Sequence, residues 1–460
     1  MTMPRTAQHE LADRVEGAVI GPDDPRYDEA RSAWNLAYTH RPTVVVDAGS
    51  VADVVETVHY AAAHGLTLAV QATGHGVTLP ADDAVLLLTR RLDHVQVHPS
   101  TGTATVGGGA TWVPVLAAAQ REGLAPLVGS SPGVGAVGYT LGGGFGWLAR
   151  RYGLSADRVR SITIVLADGW VVQASPTSHP DLFWALRGGG AGSLGVVVEM
   201  EIDLVPVAEV YGGNLLYPVG TAAEVFEFYR EWSRDLPDEM TSAFNITAFP
   251  TFEMVPEPLR GRTFAIVRGC HCGDPVDGAA LVDRWRAWRT PEMDMFGPMP
   301  FAEVAAISQD PVDPVPATTS GRWLTGLSDD LPDAMLDSIT GGDGSSPVLF
   351  AEVRHAGGAI NRTDARTSYF TRDAVCSIEI AAITPGPDAM ADARRRVGSL
   401  FGRLDGLIHP QGVYLNFTEG AERVFEARNA FDDVTWAKLA AVKADVDPAN
   451  MFAHGIDLRG

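Results

Sequence analysis

The sequence predicts an α+β protein in which a glycine-rich N-terminal domain is followed by an antiparallel β-sheet covered by helices. Two observations predict this fold. Over about residues 27–206, short β-branched runs alternate with helix-like runs and Gly-rich turns. From residue 207 onwards, longer amphipathic helices separate strand-like runs, which is typical of a second α+β domain whose sheet carries helices on one face.

The elements of the N-terminal domain can be assigned in chain order. The run "SVADVVETVHYAAAHG" predicts a helix, because Val54 and Val58 fall on one face. Ser50 is a suitable N-cap for this helix and Gly65 a suitable end. A second helix, ended by Gly123, is predicted for "TWVPVLAAAQREG". Strands are predicted for the β-branched runs "TLAV", "AVLLLT", "TATVGG", "SITIVLAD" and "GVVVEMEIDLV".

The later elements follow a different pattern. Amphipathic helices are predicted for "GTAAEVFEFYREWSRDLP" and "PVDGAALVDRWRAWRT". Strands are predicted for "FNITAFPTF", "RTFAIVRGCHC", "PVLFAEVRHAGGAI" and "AVCSIEIAAITP". A last segment contains a predicted strand, "GVYLNF", then a predicted helix, "VTWAKLAAVKADV", then "DPANMF". Together these runs predict a middle domain and a short C-terminal segment.

Charge and composition disfavour several classes of partner. The 460 residues carry a formal net charge of −22, so nucleic acid and anionic membrane would both be repelled. No run reaches the length of about 18 apolar residues that a transmembrane helix requires. The start, "MTMPRTAQHELADRVEG", lacks the apolar region of a signal peptide. We therefore expect a cytoplasmic protein with no membrane or nucleic-acid partner.

The cysteines do not indicate a metal site. Three cysteines are too few for a disulfide scaffold. Cys270 and Cys272 flank a histidine, but the preceding run is strand-like, so these two side chains would share one face of a strand. A second pair of ligands at suitable spacing is missing from the sequence. We therefore expect no bound metal.

Two short motifs match families whose structural requirements they do not meet. "GSSPG" fits the G-x-S-x-G pattern of serine hydrolases, yet Pro132 follows the serine and has no N–H for an oxyanion hole. "GVGAVG" fits G-x-G-x-x-G, which must follow a strand and open a helix. Here Pro132 precedes it and "YTLGGG" follows, with glycines that disfavour a helix interior. Neither a serine hydrolase nor a nicotinamide-binding unit is the favoured interpretation.

Glycine-rich loops recur instead along the N-terminal domain, in "VGGGATW", "GVGAVGYTLGGGFG" and "RGGGAGSLGVV". Glycine lets the backbone approach a ligand closely, and its N–H groups can hold phosphate oxygens. Any single loop of this kind can be an ordinary tight turn. Several in one domain indicate an extended ligand that contains a pyrophosphate.

The ordered set of motifs resembles the vanillyl-alcohol oxidase and p-cresol methylhydroxylase (PCMH-type) flavoprotein family, and within it the berberine-bridge-enzyme-like oxidases. The resemblance begins at "YDEARSAWNLAYTHRP" and continues through "TGHG", "GGGATWVPVLAAA", "GYTLGGGFGWLARRYGLSADRV", "HPDLFWALRGGGAGSLGVV", "YLNF" and "DPANMF". It implies a two-part FAD-binding domain at 1–206 and a substrate domain at 207–405. It also implies a C-terminal segment, 406–460, that returns to the FAD domain.

The resemblance implies how the flavin is bound. By themselves, the glycines around His75 indicate only a turn, in which a histidine is often solvated. In the family, the matching histidine is bonded to the flavin 8α-methyl, although the common pattern is Gly-Gly-His-Ser rather than Thr73-Gly74-His75-Gly76. Many members carry a second link from a cysteine, whose position is Ser131 here, so a single link is expected. The implied FAD-binding residues are Thr73, Gly74, His75, Gly76, Ser130, Ser131, Val134, Gly138, Leu141, Gly142, Gly143, Gly146, Gly195, Val197 and Asn416.

Four residues are candidates for the catalytic base. Tyr414 matches the family tyrosine beside the substrate, and alternation along a strand would place it on one face with the flavin-facing asparagine. Its pKa would have to fall from about 10, and Arg354, His355 and Arg372 are candidate sources of positive charge. Those charged residues can equally form a surface-facing strand. Phe145 replaces a tyrosine of some relatives, which leaves Tyr414, Glu352, His355 and Glu379 as candidate bases.

The implied reaction is transfer of a hydride from a C–H bond of an alcohol, amine or secondary metabolite to flavin N5. In the family, a valine at the position of Val134 leaves space for O2, which favours an oxidase that forms H2O2. The alternative for this valine is packing of the turn. Two other functions stay open: a dehydrogenase with another electron acceptor, and a cyclase or binding protein in which FAD is only a scaffold.

Overall fold

The structure is a computed structural model that describes residues 10–189, 192–253, 255–341, 346–362, 366–369 and 371–459. Part of the motif "RGGGAGSLGVV", at 190–191, lies outside these residues. Strands of the described chain form three sheets, and the predicted α+β class is confirmed. No helix within these ranges combines the length and the apolar run needed to cross a membrane.

The first sheet lies at the N-terminus and is mostly parallel. Its order is β1-β2-β4-β3, with β1 antiparallel to β2 and the other pairs parallel. Helix α2 is the predicted one: the Ser50 hydroxyl accepts the N–H of Asp53, and Gly65 ends it with φ +63°. The elements are β1 (Ala18–Ile20), α1 (Tyr27–Ala30), β2 (Val44–Asp47), α2 (Val51–His64), β3 (Leu68–Gln71) and β4 (Val85–Leu88).

The second sheet is antiparallel, in the order β5-β6-β9-β7-β8. Helices pack on it around a core that includes Trp112, Phe183 and Met200. The segment "GVGAVG" does open a short helix, α4, but no strand directly precedes it, so the dinucleotide-binding arrangement is absent there. The elements are β5 (Val95–His98), β6 (Thr103–Gly107), α3 (Trp112–Gln120), α4 (Ala136–Leu141), α5 (Ala149–Tyr152), β7 (Val159–Val165), β8 (Val171–Ala174), α6 (Pro180–Leu186) and β9 (Val196–Asp203).

The third sheet is large and antiparallel. Its order is β13-β10-β12-β11-β16-β17-β15-β18, and β14 also pairs with β10. The sequence pattern predicted β11, β12, β16 and β17 but not β10 or β15. The elements are β10 (Glu209–Pro218), α7 (Ala222–Ser233), β11 (Met240–Ala248), β12 (Thr263–His271), α8 (Pro275–Trp288), β13 (Met293–Asp294), β14 (Gly297–Pro300), α9 (Ala305–Ser308), β15 (Ala317–Leu324), α10 (Leu331–Thr340), β16 (Val348–His355), α11 (Ala359–Arg362), β17 (Cys376–Ile383), α12 (Pro387–Arg403) and β18 (Ile408–Val413).

Side chains of the large sheet alternate between two environments. Phe244, Val353 and Ile378 point to the face that α7, α10 and α12 cover, where they form a second core. Glu352 and Glu379 point to the other face, which is turned to the N-terminal sheets. These two residues are direct partners across β16 and β17. The pleat of this sheet therefore brings charged side chains together opposite the glycine-rich loops.

The C-terminal segment contacts both parts of the molecule. Strand β18 pairs with β15 at the edge of the large sheet, and it ends at Val413. The predicted strand "GVYLNF" is therefore wrong after that residue, because Leu415–Phe417 form a single 3-10 turn. Helix α13 (Gly420–Glu426) and helix α14 (Asp433–Val446) follow, and α14 packs against α6. The division at 206 and 405 remains a proposal.

A buried ion pair holds α14 in place. The Lys443 ammonium donates to Asp447 Oδ2 at 2.6 Å, to the Ser193 carbonyl at 2.7 Å and to the Phe452 carbonyl at 3.2 Å. Asp447 also accepts the backbone N–H groups of Met451 and Phe452. Both side chains are excluded from solvent, so each depends on the other for charge compensation.

Replacing Lys443 by Met should therefore lower the free energy of unfolding by about 3–5 kcal/mol, because Asp447 would remain buried without its counter-charge. The measurement is denaturant unfolding followed by tryptophan fluorescence. Lys438→Met is the matched control on the same helix, since the exposed pair of Lys438 and Asp181 should contribute less than about 1 kcal/mol. Equal effects of the two substitutions would contradict this account.

Candidate active site

One continuous cavity lies between the N-terminal sheets and the charged face of the large sheet. Its walls come from parts of the chain that are far apart in sequence. The lining includes 69–79, 129–131, Val134, Gly135, Gly138, Tyr139, Gly142 and Phe145 from the N-terminal half, and Arg268, Asp310, Glu352, Arg354, Glu379, Asn416, Glu419 and Arg423 from the rest of the chain.

His75 lies in the turn after β3, at one side of this cavity. Gly74 makes the turn possible, because it has φ +77° and a Cβ there would lie 2.7 Å from the Ala33 Cβ. The His75 ring stacks on Trp34 with 4.2 Å between centroids, and its Nδ1 lies 2.8 Å from the Thr73 hydroxyl. Burial lowers the pKa of His75 to about 4, so the imidazole is neutral at pH 7.

The loop before α4 forms the next part of the wall. Backbone hydrogen bonds fix it to the start of α3: Trp112 N–H donates to the Val134 carbonyl at 3.1 Å, and Val113 N–H donates to the Pro132 carbonyl at 3.0 Å. The residues Ser130, Ser131 and Val134 all line the cavity. This rigid attachment gives the loop a defined shape against any ligand.

Asn416 and two glycines of the "GYTLGGG" run line the same cavity. A Cβ at Gly142 would lie 1.9 Å from Asn416 Oδ1, so only glycine permits this approach. The Asn416 amide donates to the Tyr139 carbonyl at 3.0 Å. Gly138 faces open space, which leaves room for a ligand beside the helix.

Several predicted FAD-binding residues are not part of the lining. Leu141 and Val197 are buried in the core instead. A Cβ at Gly143 would meet the Tyr369 ring at 2.5 Å, and one at Gly146 would lie 1.9 Å from the Val128 carbonyl. Gly195 has φ +150° against the Val165 carbonyl. These five positions shape the loops and strands behind the wall, and the structure does not bring them to the cavity surface.

The structure also separates Tyr414 from the cavity. Its side chain is 1% exposed and packs among Phe145, Trp323 and Tyr369. The hydroxyl accepts the Phe145 N–H at 3.0 Å and lies 3.4 Å from the Asn416 amide. Burial raises the pKa of Tyr414 to about 12 despite these hydrogen bonds. The positive charge expected to lower this pKa is insufficient, and Arg372 is paired with Asp157.

His355 lies on the opposite face of β16 from Glu352. Side chains three residues apart on a strand point to different faces, so the two cannot both enter the cavity. His355 instead contacts the Arg150 guanidinium, with a nitrogen–nitrogen distance of 3.0 Å. Burial and the Arg150 charge lower its pKa to about 3. The structure therefore does not bring this candidate base to the site.

Glu352 does line the cavity, but its carboxylate is fully paired. Arg354 donates to Oε1 at 2.6 and 3.0 Å, Arg268 donates to Oε2 at 3.0 Å, and Asn245 donates to Oε2 at 3.3 Å. Burial alone would raise the pKa of Glu352, yet the charges of Arg354 and Arg268 hold it below its usual value. Glu352 is therefore an ionised and weakly basic group.

Glu379 also lines the cavity, opposite Glu352 on the neighbouring strand. Burial raises its pKa well above the usual value, and the negative charge of Glu352 adds to this effect. A carboxyl with a raised pKa is a better proton acceptor than an ion-paired one once it is ionised. Of the four candidate bases, Glu379 has the surroundings that best suit the role.

Sequence reasoning missed four residues of this site. Arg268 reaches the cavity, and Asn245 reaches the Glu352 carboxylate, only because β12 and β11 pair beside β16. Asp310 lies in a proline-rich connection that carries no recognisable pattern. Trp34 lies within the quoted run "YDEARSAWNLAYTHRP", but nothing there indicates stacking on His75. Alternation along the predicted strand "PVLFAEVRHAGGAI" could have separated His355 from Glu352 in advance.

The residues around the cavity suit FAD. Tyr139 and Arg423 line it, and within the described residues the buried Tyr139 hydroxyl and Arg423 Nε have no hydrogen-bond partner. Gly138 leaves the backbone open to a ligand. A flavin dinucleotide offers phosphate and ring oxygens to such donors, and a planar ring to the space beside them.

Comparisons with known proteins indicate that the chain binds FAD. An FAD binding domain family matches residues 42–175. The chain is 26% identical to (R)-6-hydroxynicotine oxidase of Paenarthrobacter nicotinovorans over 96% of this chain and 97% of that protein. It is 25% identical to chitooligosaccharide oxidase of Gibberella zeae, over 93% and 89% of the two chains.

Solved structures show the same fold. The crystal structure of 6-hydroxy-D-nicotine oxidase from Arthrobacter nicotinovorans matches with a TM-score of 0.83 and 25% identity, over 96% of this chain and 98% of that one. Physcomitrella patens BBE-like 1 matches in fold with a TM-score of 0.82 and 22% identity, over 99% of both chains. The chain is an FAD-dependent oxidoreductase, and over nearly its whole length it is similar to proteins of the vanillyl-alcohol oxidase and p-cresol methylhydroxylase family.

Proposed function

We propose that this enzyme is an oxidase: it takes a hydride from a C–H bond of a small alcohol or amine, with FAD linked through His75 alone and O2 as electron acceptor. One observation carries the proposal. A single cavity has the His75 turn on one side and the carboxyls of the large sheet on the other. Bound FAD would accept the hydride at N5 and pass the electrons on. The names of the two curated relatives, both oxidases, support O2 as the acceptor.

His75 suits the role of a covalent anchor. A neutral imidazole nitrogen is a competent nucleophile, and the lowered pKa keeps this ring neutral at every physiological pH. Trp34 and Thr73 hold the ring in one orientation inside the cavity. Ser131 occupies the position where a second link would form, and a serine hydroxyl is hardly ionised near pH 7. The residues that would hold FAD are Thr73, Gly74, Gly76, Ser130, Ser131, Val134, Gly138, Gly142 and Asn416.

Glu379 suits the role of the base. The substrate O–H or N–H proton must leave when the hydride does, and a carboxylate on the cavity wall can take it. Glu352 holds its own negative charge between Arg354 and Arg268, so it orients its neighbours rather than accepting a proton. The raised pKa of Glu379 means that ionisation, and with it activity, increases as pH rises through that pKa.

The first prediction of this proposal concerns the flavin link. Denatured wild-type protein should keep its yellow colour, and His75→Ala should release the flavin, because only this imidazole forms the bond. His59→Ala, on the exposed side of α2, is the control, and this variant should keep the flavin after denaturation. Peptide mapping should place the flavin on the His75 peptide and on no residue of 129–133. Flavin that washes off the denatured wild type would refute the link.

The second prediction concerns the catalytic base. Glu379→Gln keeps the shape of the side chain but removes its basicity, so the rate of flavin reduction in anaerobic stopped flow should fall by about 10²–10⁴-fold. The rise of that rate with pH should disappear as well. Tyr414→Phe is the control, and it should change reduction little because its hydroxyl lies outside the cavity. The reverse result would return the role of base to Tyr414.

The third prediction concerns reoxidation of the flavin by O2. Val134→Leu adds a methylene group at the cavity wall, where it should slow reoxidation of the flavin by O2 much more than its reduction. Val134→Ala enlarges the same space and should leave reoxidation near the wild-type rate. Stopped-flow mixing of reduced enzyme with air-saturated buffer measures the reoxidation rate of each variant. If Val134→Leu reoxidises normally, Val134 serves only to pack the turn, and slow reoxidation of the wild type itself would indicate a dehydrogenase.

A further inference from the structure

Two carboxyls of the cavity have no hydrogen-bond or ion-pair partner in the part of the chain that the structure describes. Asp310 and Glu379 both line the cavity, and within the described residues no hydrogen bond or ion pair reaches either carboxyl. Burial raises the pKa of Asp310, and the charge of Glu352 raises it further, although Arg268 acts against this. For Glu379, the charge of Asp310 adds to the same effect. The two groups therefore face one space and repel each other when ionised.

The positively charged side chains of the cavity do not fully neutralise Asp310 and Glu379. Arg354 is committed to Glu352, to the Ser130 hydroxyl at 2.9 Å and to the Phe145 carbonyl at 3.3 Å. Glu352 and Arg354 compensate each other, as do Glu419 and Arg423, so that Arg268, Asp310 and Glu379 remain of the charged side chains named for this cavity. With both carboxyls ionised, that remainder has one net negative charge. A ligand with a single positive charge would neutralise it.

Hydrogen bonds attach the connection that carries Asp310 to the N-terminal part of the chain. Asp310 lies in the connection 309–316, between α9 and β15. The Trp34 indole donates to the Val312 carbonyl at 3.1 Å, and Leu36 N–H donates to the Val315 carbonyl at 3.0 Å. Because Trp34 also stacks on His75, the position of Asp310 is tied to the turn that anchors the flavin.

We propose that Asp310 and Glu379 together bind the ammonium group of the substrate, so that Asp310 makes the enzyme specific for amines over alcohols. This inference rests on the proposed function and narrows its substrate class. An ammonium group has a full positive charge and several N–H donors, enough for both carboxylates. An alcohol offers one O–H and no charge, and a carboxylate ligand would be repelled.

With this arrangement, every proton and electron pair of the amine oxidation has a donor and an acceptor. The ammonium group gives one proton to the Glu379 carboxylate, which frees the nitrogen lone pair. Bound FAD would take the hydrogen of the adjacent C–H bond with its electron pair, while the lone pair forms a C=N bond. Water would then add to the resulting iminium ion and give a carbonyl compound and an ammonium ion, which is protonated ammonia for a primary amine and a smaller protonated amine otherwise. Asp310 keeps its charge throughout and holds the cationic carbon–nitrogen unit.

Ligands that cannot be oxidised test the binding step alone. The probes are tert-butylammonium and 2-phenylpropan-2-ylammonium, each compared with the alcohol of the same shape. Both have no hydrogen on the carbon next to nitrogen, so the holoenzyme cannot turn them over. Titration of the flavin absorbance gives their dissociation constants. We expect at least one ammonium probe to bind about 10- to 100-fold more tightly than its alcohol, the range of one charge-assisted hydrogen bond.

Asp310→Asn should reduce that preference to near one while alcohol binding stays the same, because the amide keeps the shape and removes the charge. Asp313→Asn, an exposed position in the same connection, is the control and should keep the preference. Circular dichroism and flavin content establish that both variants are folded. Equal binding of alcohol and ammonium, an unchanged preference in Asp310→Asn, or no binding of either ammonium probe would overturn the proposal.

A second readout separates this inference from the proposed function. If ammonium probes bind through Asp310 but no amine or alcohol bleaches the flavin anaerobically, the oxidase proposal fails while the ammonium site stands. If alcohols bleach the flavin and amines do not, the oxidase proposal stands and the ammonium site fails.

Discussion

Arg354, which is buried against Glu352 on the same strand, joins the two halves of the site. Arg354 is 4% exposed, and besides Glu352 it binds Ser130 and Phe145, which belong to the glycine-rich loops. Desolvating two charges is costly, and only the complete set of partners around both groups offsets that cost. The loops that would hold the flavin and the sheet that would hold the substrate are thus fixed relative to each other.

The charge of Glu352 also affects the pKa values of the neighbouring carboxyl groups. Burial raises the pKa values of Glu379 and Asp310, and the charge of Glu352, which stays ionised, raises them further. Neither carboxyl has an ion-pair partner in the described chain. In our account, one structural ion pair therefore contributes to the raised pKa of the base and to the preference for a cationic substrate.

Local patterns predicted the parts of the fold that depend on local physics. The cap at Ser50, the positive φ of Gly65 and the turn at Gly74 follow from short-range sterics and hydrogen bonding, and the sequence contains those signals. Family resemblance identified the FAD domain. Arg268 could not be found this way, because strand pairing between distant segments brings it to the cavity, and Asp310 lies in a connection that carries no local pattern. Tyr414 was misplaced because β18 ends one residue earlier.

The central claim is that His75 and Glu379 face the same flavin from one cavity. A crystal structure of the holoenzyme with an ammonium ligand bound tests it most directly. The account predicts continuous density from the His75 imidazole to the flavin, and a ligand nitrogen within hydrogen-bond distance of both Glu379 and Asp310. A flavin bound away from the Glu352–Glu379 face, or a ligand nitrogen that contacts neither carboxyl, would contradict it.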